Sequence, residues 1–173
     1  MSTATDLATS APAILRDVLV AIADHDGWQD IDRTQAVSIR RVLATAWAPY
    51  RLERAAERLA AGERAPAINA TRYILNGEGW YIPSDGNHRT VAAREAGKRT
   101  IRCRIAGEVV CEPDACYLDV ATGRLWRHVG HGSIDGRAVL TLLADGFDGE
   151  KGAAALALGV NDLAKGVHWR LPT

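Results

Sequence analysis

The sequence predicts an α+β fold: a small mixed sheet with helices packed on it, a helical N-terminal extension and a helical C-terminal appendage. Three observations predict this. Apolar residues recur at helical spacing before Gly62. Between Ile68 and Ile82 the pattern changes to short runs of strand type joined by a glycine-rich turn. A sharp corner, a helix closed by Gly97 and another strand then follow through Ile105.

Taken in order, residues 1–11 are small and polar and are expected to be disordered. Pro12 suits the first turn of a helix that places Ile14, Leu15, Val18, Leu19 and Ile22 on one stripe. A second helix is expected from Thr34, with Val37, Val42 and Leu43 apolar. Pro49 breaks it, and a third helix carries Leu52, Ala55, Ala56 and Leu59 in register up to Gly62. Ile68 to Leu75 and Trp80-Tyr81-Ile82 read as a hairpin across Asn76-Gly77-Glu78-Gly79. Asp85-Gly86 makes the corner, Asn87 to Ala96 the helix, and Thr100 to Ile105 the next strand. Further on, Tyr117–Val120 and Arg124–Val129 pair across Ala121-Thr122-Gly123. Val139–Ala144 and Lys151–Leu158 are expected to be helical. The chain thus divides into a tail (1–11), a helical extension (12–49), a core (50–110) and a hairpin-and-helix appendage (111–173).

Composition narrows the function. Of the 173 residues, 47% are apolar, enough for one domain with a real core. No apolar run reaches the roughly 20 residues that cross a bilayer, and Met1 to Pro12 lacks the basic start of a signal peptide. A cytoplasmic protein without a membrane partner is expected. The odd cysteine count (Cys103, Cys111, Cys116) argues against a disulfide framework. Net charge is zero but uneven: residues 37–104 hold 13 Lys/Arg against 6 Asp/Glu, while both flanks are acidic. A basic middle points to one positive face and to phosphate as its guest.

Asp85-Gly86-Asn87-His88-Arg89-Thr90 stands where such a guest would sit. A helix N-terminus presents unpaired N–H groups and the positive end of the dipole to an anion. Gly86 permits close approach, His88 and Arg89 add donors, Arg can grip phosphate with two parallel bonds, and Thr90 supplies a hydroxyl. Asp85 is the odd member. A carboxylate beside phosphate is unfavourable unless it takes a proton or a metal ion intervenes, and Mg²⁺ is the natural bridge. Glu63, before the first strand of the hairpin, is a second acid able to act as a base. Two weaker patterns compete with plain structure. Cys111-x4-Cys116 with His128-x2-His131 has the order of a zinc site but not its spacing, and unremarkable Cys and surface His is preferred. Lys151 to Val167 hints at a helix-turn-helix, but Lys165 falls where an apolar residue is wanted, so a plain helical hairpin is preferred. Trp80 is near enough to the motif to flank a base, although packing is the commoner role.

Leu59 to Ile105 resembles the core of the ParB/sulfiredoxin superfamily. The resemblance rests on Leu59-Ala60-Ala61-Gly62, Pro66-Ala67-Ile68, Gly86-Asn87-His88-Arg89, Ala92-Ala93-Arg94-Glu95-Ala96-Gly97 and Thr100-Ile101-Arg102-Cys103-Arg104-Ile105. It implies that Gly86, His88 and Arg89 match positions that hold nucleotide phosphates in sulfiredoxins, in a turn that helps bind CTP in partition proteins. Asp85-Gly86-Asn87-His88-Arg89 is one conservative change from the D-G-Q-H-R motif tied to nucleotide hydrolysis in DNA-phosphorothioation proteins. Free-serine kinases of the superfamily have a similar turn. Asn87 stands where sulfiredoxins carry their reactive Cys, so peroxiredoxin repair is not expected. The second and third nucleotide motifs of chromosome-partition ParB have no match.

The expected function is therefore Mg²⁺-dependent binding of a nucleoside triphosphate (ATP or CTP), with hydrolysis or phosphoryl transfer, linked to DNA transactions. Gly86, Asn87, His88, Arg89 and Thr90 would hold the nucleotide. Asp85, His88 and Glu63 would serve the chemistry, with Asp85 also on the metal. The rivals are a DNA-binding, partition-like adaptor or regulator and a ParB-like nuclease. The partners anticipated are the nucleotide, DNA or a DNA-bound protein, and a second copy of the chain.

Overall fold

A computed structural model describes residues 3–131 and 138–165. The elements are helices α1 (Ala4–Ser10) and α2 (Pro12–Ile22), strand β1 (Gln29–Ser38), helix α3 (Pro49–Ala60), strands β2 (Ile68–Leu75) and β3 (Glu78–Asp85), helix α4 (Asn87–Glu95), strands β4 (Thr100–Val110), β5 (Cys116–Asp119), β6 (Arg124–His131) and β7 (Ala138–Ala144), helix α5 (Gly149–Ala157) and the short strand β8 (Asn161–Asp162). The class is α+β, built on two four-stranded sheets ordered β1-β4-β2-β3 and β7-β6-β5-β8.

The first sheet places the motif. β2 and β3 form the antiparallel hairpin, α4 crosses over, and β4 returns parallel to β2. Such a crossover leaves the helix N-terminus at the end of a strand. The corner residue Gly86 has φ +91°, and an added Cβ there would lie 2.4 Å from Cγ2 of Ile68. Only glycine suits both the left-handed backbone and the close approach to β2.

A shift of register lets this sheet serve two cores. Ala70 pairs with Ile105 but Thr71 with Gly107, which leaves Ala106 as an extra residue in β4. Before the shift, Ile68, Ala70, Cys103 and Ile105 join Val37, Val42, Ala44 and Tyr81, with Val91 of α4 packed against them. Beyond it, Tyr73, Leu75 and Val109 join α2, Trp80 and the second sheet in the larger core. Trp80 is buried there with the Arg41 guanidinium 4.5 Å above its ring, so it packs and does not flank a ligand.

Several expectations are corrected. Residues 4–10 are a helix, not disordered: Thr3 and Asp6 form a capping box and Leu7 enters the core. The second helix expected from Thr34 is the edge strand β1, paired antiparallel with β4. Val139–Ala144, expected to be helical, is β7, paired with β6. The appendage is therefore a second sheet carrying one helix. After α5 the chain forms β8 on β5 instead of a second helix, so the described part of 151–167 makes no helical hairpin. Residues 166 and 167 lie outside the described residues. Among the described residues no helix is long and apolar enough to cross a membrane.

Candidate functional site

A cleft of about 770 Å³ opens between α3, the loop before β2, the N-terminus of α4 and the start of β4. α3 supplies Arg51, Arg54 and Arg58, spaced three and four residues apart and so on one face of the helix. Arg64 comes from the loop, Arg89 from α4, Lys98 from the turn after it, and Arg102 from β4. Against these seven cations stand two carboxylates, Glu63 and Asp85. Each is already paired: Glu63 Oε2 lies 3.3 Å from Arg58 Nε, and Asp85 Oδ2 lies 2.7 Å from Arg89 Nη2. Arg51, Arg54, Arg64, Lys98 and Arg102 have no carboxylate partner among the described residues. The helix start itself has no side-chain cap, because the capping residue is Gly86. Its first N–H groups are therefore left without a side-chain partner, at a helix start whose Gly86, His88 and Arg89 line the cleft.

The structure brings Glu63, Asp85, Gly86, His88 and Arg89 to one cleft and turns two other motif side chains away from it. Thr90 is fully buried and its hydroxyl donates to the Gly86 carbonyl (3.0 Å), so it holds the corner together and cannot reach a ligand. Asn87 uses its amide on neighbouring backbone: Oδ1 accepts from Thr45 N–H (3.3 Å) and Nδ2 donates to the Pro83 carbonyl (3.4 Å). The expected Thr90 hydroxyl contact is corrected accordingly, and the Thr90 backbone N–H is also spent, donating to the Gly86 carbonyl (2.9 Å). His88 divides its ring. Nε2 accepts from Ala48 N–H (3.2 Å), which leaves the ring proton on Nδ1. Arg89 does structural work as well: one amino group donates to the Pro66 carbonyl (2.8 Å) and the other holds Asp85.

The donor set does not fit a resident divalent cation. Asp85 is one carboxylate, already in an ion pair, within a ring of cations that would repel Mg²⁺. Among the described residues no group of three His, Cys, Asp or Glu side chains stands together. Cys103, Cys111 and Cys116 are buried free thiols. Burial pushes Cys103 and Cys116 up to about 11 and Cys111 up to about 12, far from a reactive thiolate.

Sequence reading located the motif but missed most of the cationic lining. Its trace was the local excess of Lys/Arg between Val37 and Arg104, and the i, i+3, i+7 spacing of Arg51, Arg54 and Arg58 was open to inspection. Convergence of Arg64, Lys98 and Arg102 on that helix face depends on the fold.

Comparisons add little to this geometry. No family model matches the chain, and no curated protein does. Among solved structures there is a distant likeness to a sulfiredoxin from Arabidopsis thaliana. It has 17% sequence identity and a TM-score of 0.34, and covers 42% of this chain and 83% of that one. At that score the likeness carries no argument about function.

Proposed function

We propose that the chain is a nucleotide-binding protein of the ParB/sulfiredoxin type that holds a nucleoside triphosphate in the basic cleft. One observation carries this reading: seven cations, five of them without a carboxylate partner among the described residues, surround a helix N-terminus with no side-chain cap. A triphosphate is a compact guest whose several negative charges match that set, and guanidinium groups fit its oxygens two at a time. The α4 N–H groups would hold one phosphate, with Arg64, Lys98 and Arg102 around the remainder. Arg89 serves both the corner and the guest.

Any metal would arrive with the nucleotide and not be held by the protein. Turnover would rest on Glu63, the lining carboxylate outside the motif, which Arg58 holds at the cleft. Binding and turnover separate experimentally. Titration calorimetry with ATP, CTP, GTP and ADP, with and without Mg²⁺, tests the first. Saturable binding that weakens at least tenfold in an Arg64→Ala, Arg102→Ala double variant is expected. A folded protein that binds none of the four would overturn the reading. Phosphate release tests the second: Glu63→Gln should retain binding and lose release. Undiminished release in that variant would remove Glu63 from the chemistry.

A further inference from the structure

The motif also holds an exposed aromatic side chain against His88, a residue of the cleft wall. Thr45 to Ala48 is an extended segment leading into α3, and two consecutive motif residues hold it. Asn87 Oδ1 accepts from Thr45 N–H at 3.3 Å, and His88 Nε2 accepts from Ala48 N–H at 3.2 Å. Between those two points lies Trp47. Its ring meets the His88 ring edge-on, with centroids 4.6 Å apart and planes at 64°, yet the residue remains 65% exposed. Tyr50, three residues on and also 65% exposed, carries the Arg51 guanidinium 5.8 Å from its ring centre. Both His88 and Arg51 line the cleft.

Single exposed hydrophobic residues are ordinary on a protein surface. Trp47 differs in its attachments. Asn87 and His88, the first two residues of α4, accept from backbone N–H groups on either side of it, so its position relative to the cations is set by the motif itself. An aromatic face in water against His88, which lines the cationic cleft, suits a planar base joined through a sugar to phosphate. Stacking is available to every base, and adjacent guanidinium groups reinforce it.

Resting on the nucleotide reading above, we propose that Trp47, with Tyr50 beside it, is the stacking platform for a nucleobase whose phosphates occupy the basic cleft. The shared chemistry is base plus phosphate, which a free nucleotide or the end of a single-stranded oligonucleotide can supply. Asn87 and His88 are positioning residues for this platform.

The test compares ligands with and without a base on the full chain. Calorimetric titrations use ATP, CTP, inorganic tripolyphosphate and a short 5′-phosphorylated single-stranded oligonucleotide against wild type, Trp47→Ala and Trp47→Phe. Trp47→Ala is expected to weaken the base-bearing ligands by about fivefold to a hundredfold. Tripolyphosphate should stay within about twofold, since it makes no stacking contact, and Trp47→Phe should recover most of the loss. Unchanged nucleotide and oligonucleotide affinity in Trp47→Ala would overturn the platform and leave the phosphate cleft standing. An equal loss for tripolyphosphate would also overturn it, because Trp47 would then be supporting the cleft. Loss confined to the oligonucleotide, with free nucleotides not binding wild type, would keep the platform and remove the free-nucleotide reading. Failure of every ligand to bind wild type would remove both.

Discussion

At the scale of single residues, the motif is a joint as well as the proposed ligand site. Gly86 is tied to its conformation and to its neighbour: φ +91° disfavours any side chain, and Ile68 occupies the space a Cβ needs. Gly86→Ala should cost roughly 2–4 kcal/mol in urea unfolding, combining left-handed strain with overpacking. Arg89→Ala should also destabilise, by about 1.5–3 kcal/mol, because it removes charged bonds to the Pro66 carbonyl and Asp85. Arg64→Ala touches no such contact, and its unfolding midpoint should match wild type while phosphate binding falls. This contrast separates a structural arginine from a ligand arginine. The buried thiols give a pH prediction. Burial holds Cys103, Cys111 and Cys116 protonated up to about 11, 12 and 11, whereas an unfolded chain loses these protons near about pH 8.5. Above that point the unfolded state binds fewer protons than the folded one, so stability is full below it and falls as pH rises through the folded values. Melting curves should therefore move down above about pH 9, and a thiol reagent near neutral pH should find all three thiols only after unfolding. Reaction of the native protein at wild-type fold would contradict the burial. The sequence order Asp-Gly-Asn-His-Arg made the corner legible. It did not reveal that Asn87 and Thr90 would spend their side chains on backbone, because their partners Thr45, Pro83 and Gly86 are set by tertiary approach and by the corner itself.

Elements were legible where a face is buried and obscure where it is not. β2 alternates cleanly enough to match its expected bounds, and the helix–corner–strand order around it was readable for the same reason. β1 is an edge strand in which Val37 is the one buried residue, so no period of two marks it. β7 is rich in Ala and Leu, which favour helices, and pairing with β6 overrides that preference. α1 could have been found from Thr3-x-x-Asp6, a capping signature in a stretch that otherwise reads as a tail. α3 is the element whose packing bears on function. It has no buried residue, and its chief neighbour is α4. A helix with so little apolar burial opens at low free energy. In hydrogen exchange, α3 amides should lose protection well before those of β2 and β4. A nucleotide filling the cleft that Arg51, Arg54 and Arg58 line should slow that exchange selectively. Protection of α3 equal to the central strands without ligand would show that the wall of the cleft is rigid beforehand.

For the molecule as a whole, charge distribution matters more than charge. The chain is neutral, yet the lining of the cleft holds seven cations against two carboxylates. Acidic flanks cancel the field at a distance, while within a Debye length of about 8–10 Å the cleft is strongly positive. Binding should thus be local in origin and sensitive to salt. A ligand that binds the folded state alone stabilises it by about 2.7 kcal/mol at a hundredfold excess over its Kd. For a chain of this size each kcal/mol raises Tm by about 2–4 °C, so saturating triphosphate should shift the melt by about 5–10 °C. Raising the ionic strength from about 0.05 M to about 0.5 M shortens the screening length severalfold and should remove most of that shift, leaving the ligand-free Tm nearly in place. Arg64→Ala combined with Arg102→Ala should do the same at low salt, because neither residue has an ion-pair partner among the described residues. A shift that survives both high salt and the double variant would mean that the nucleotide sits elsewhere, on a surface where these cations play no part.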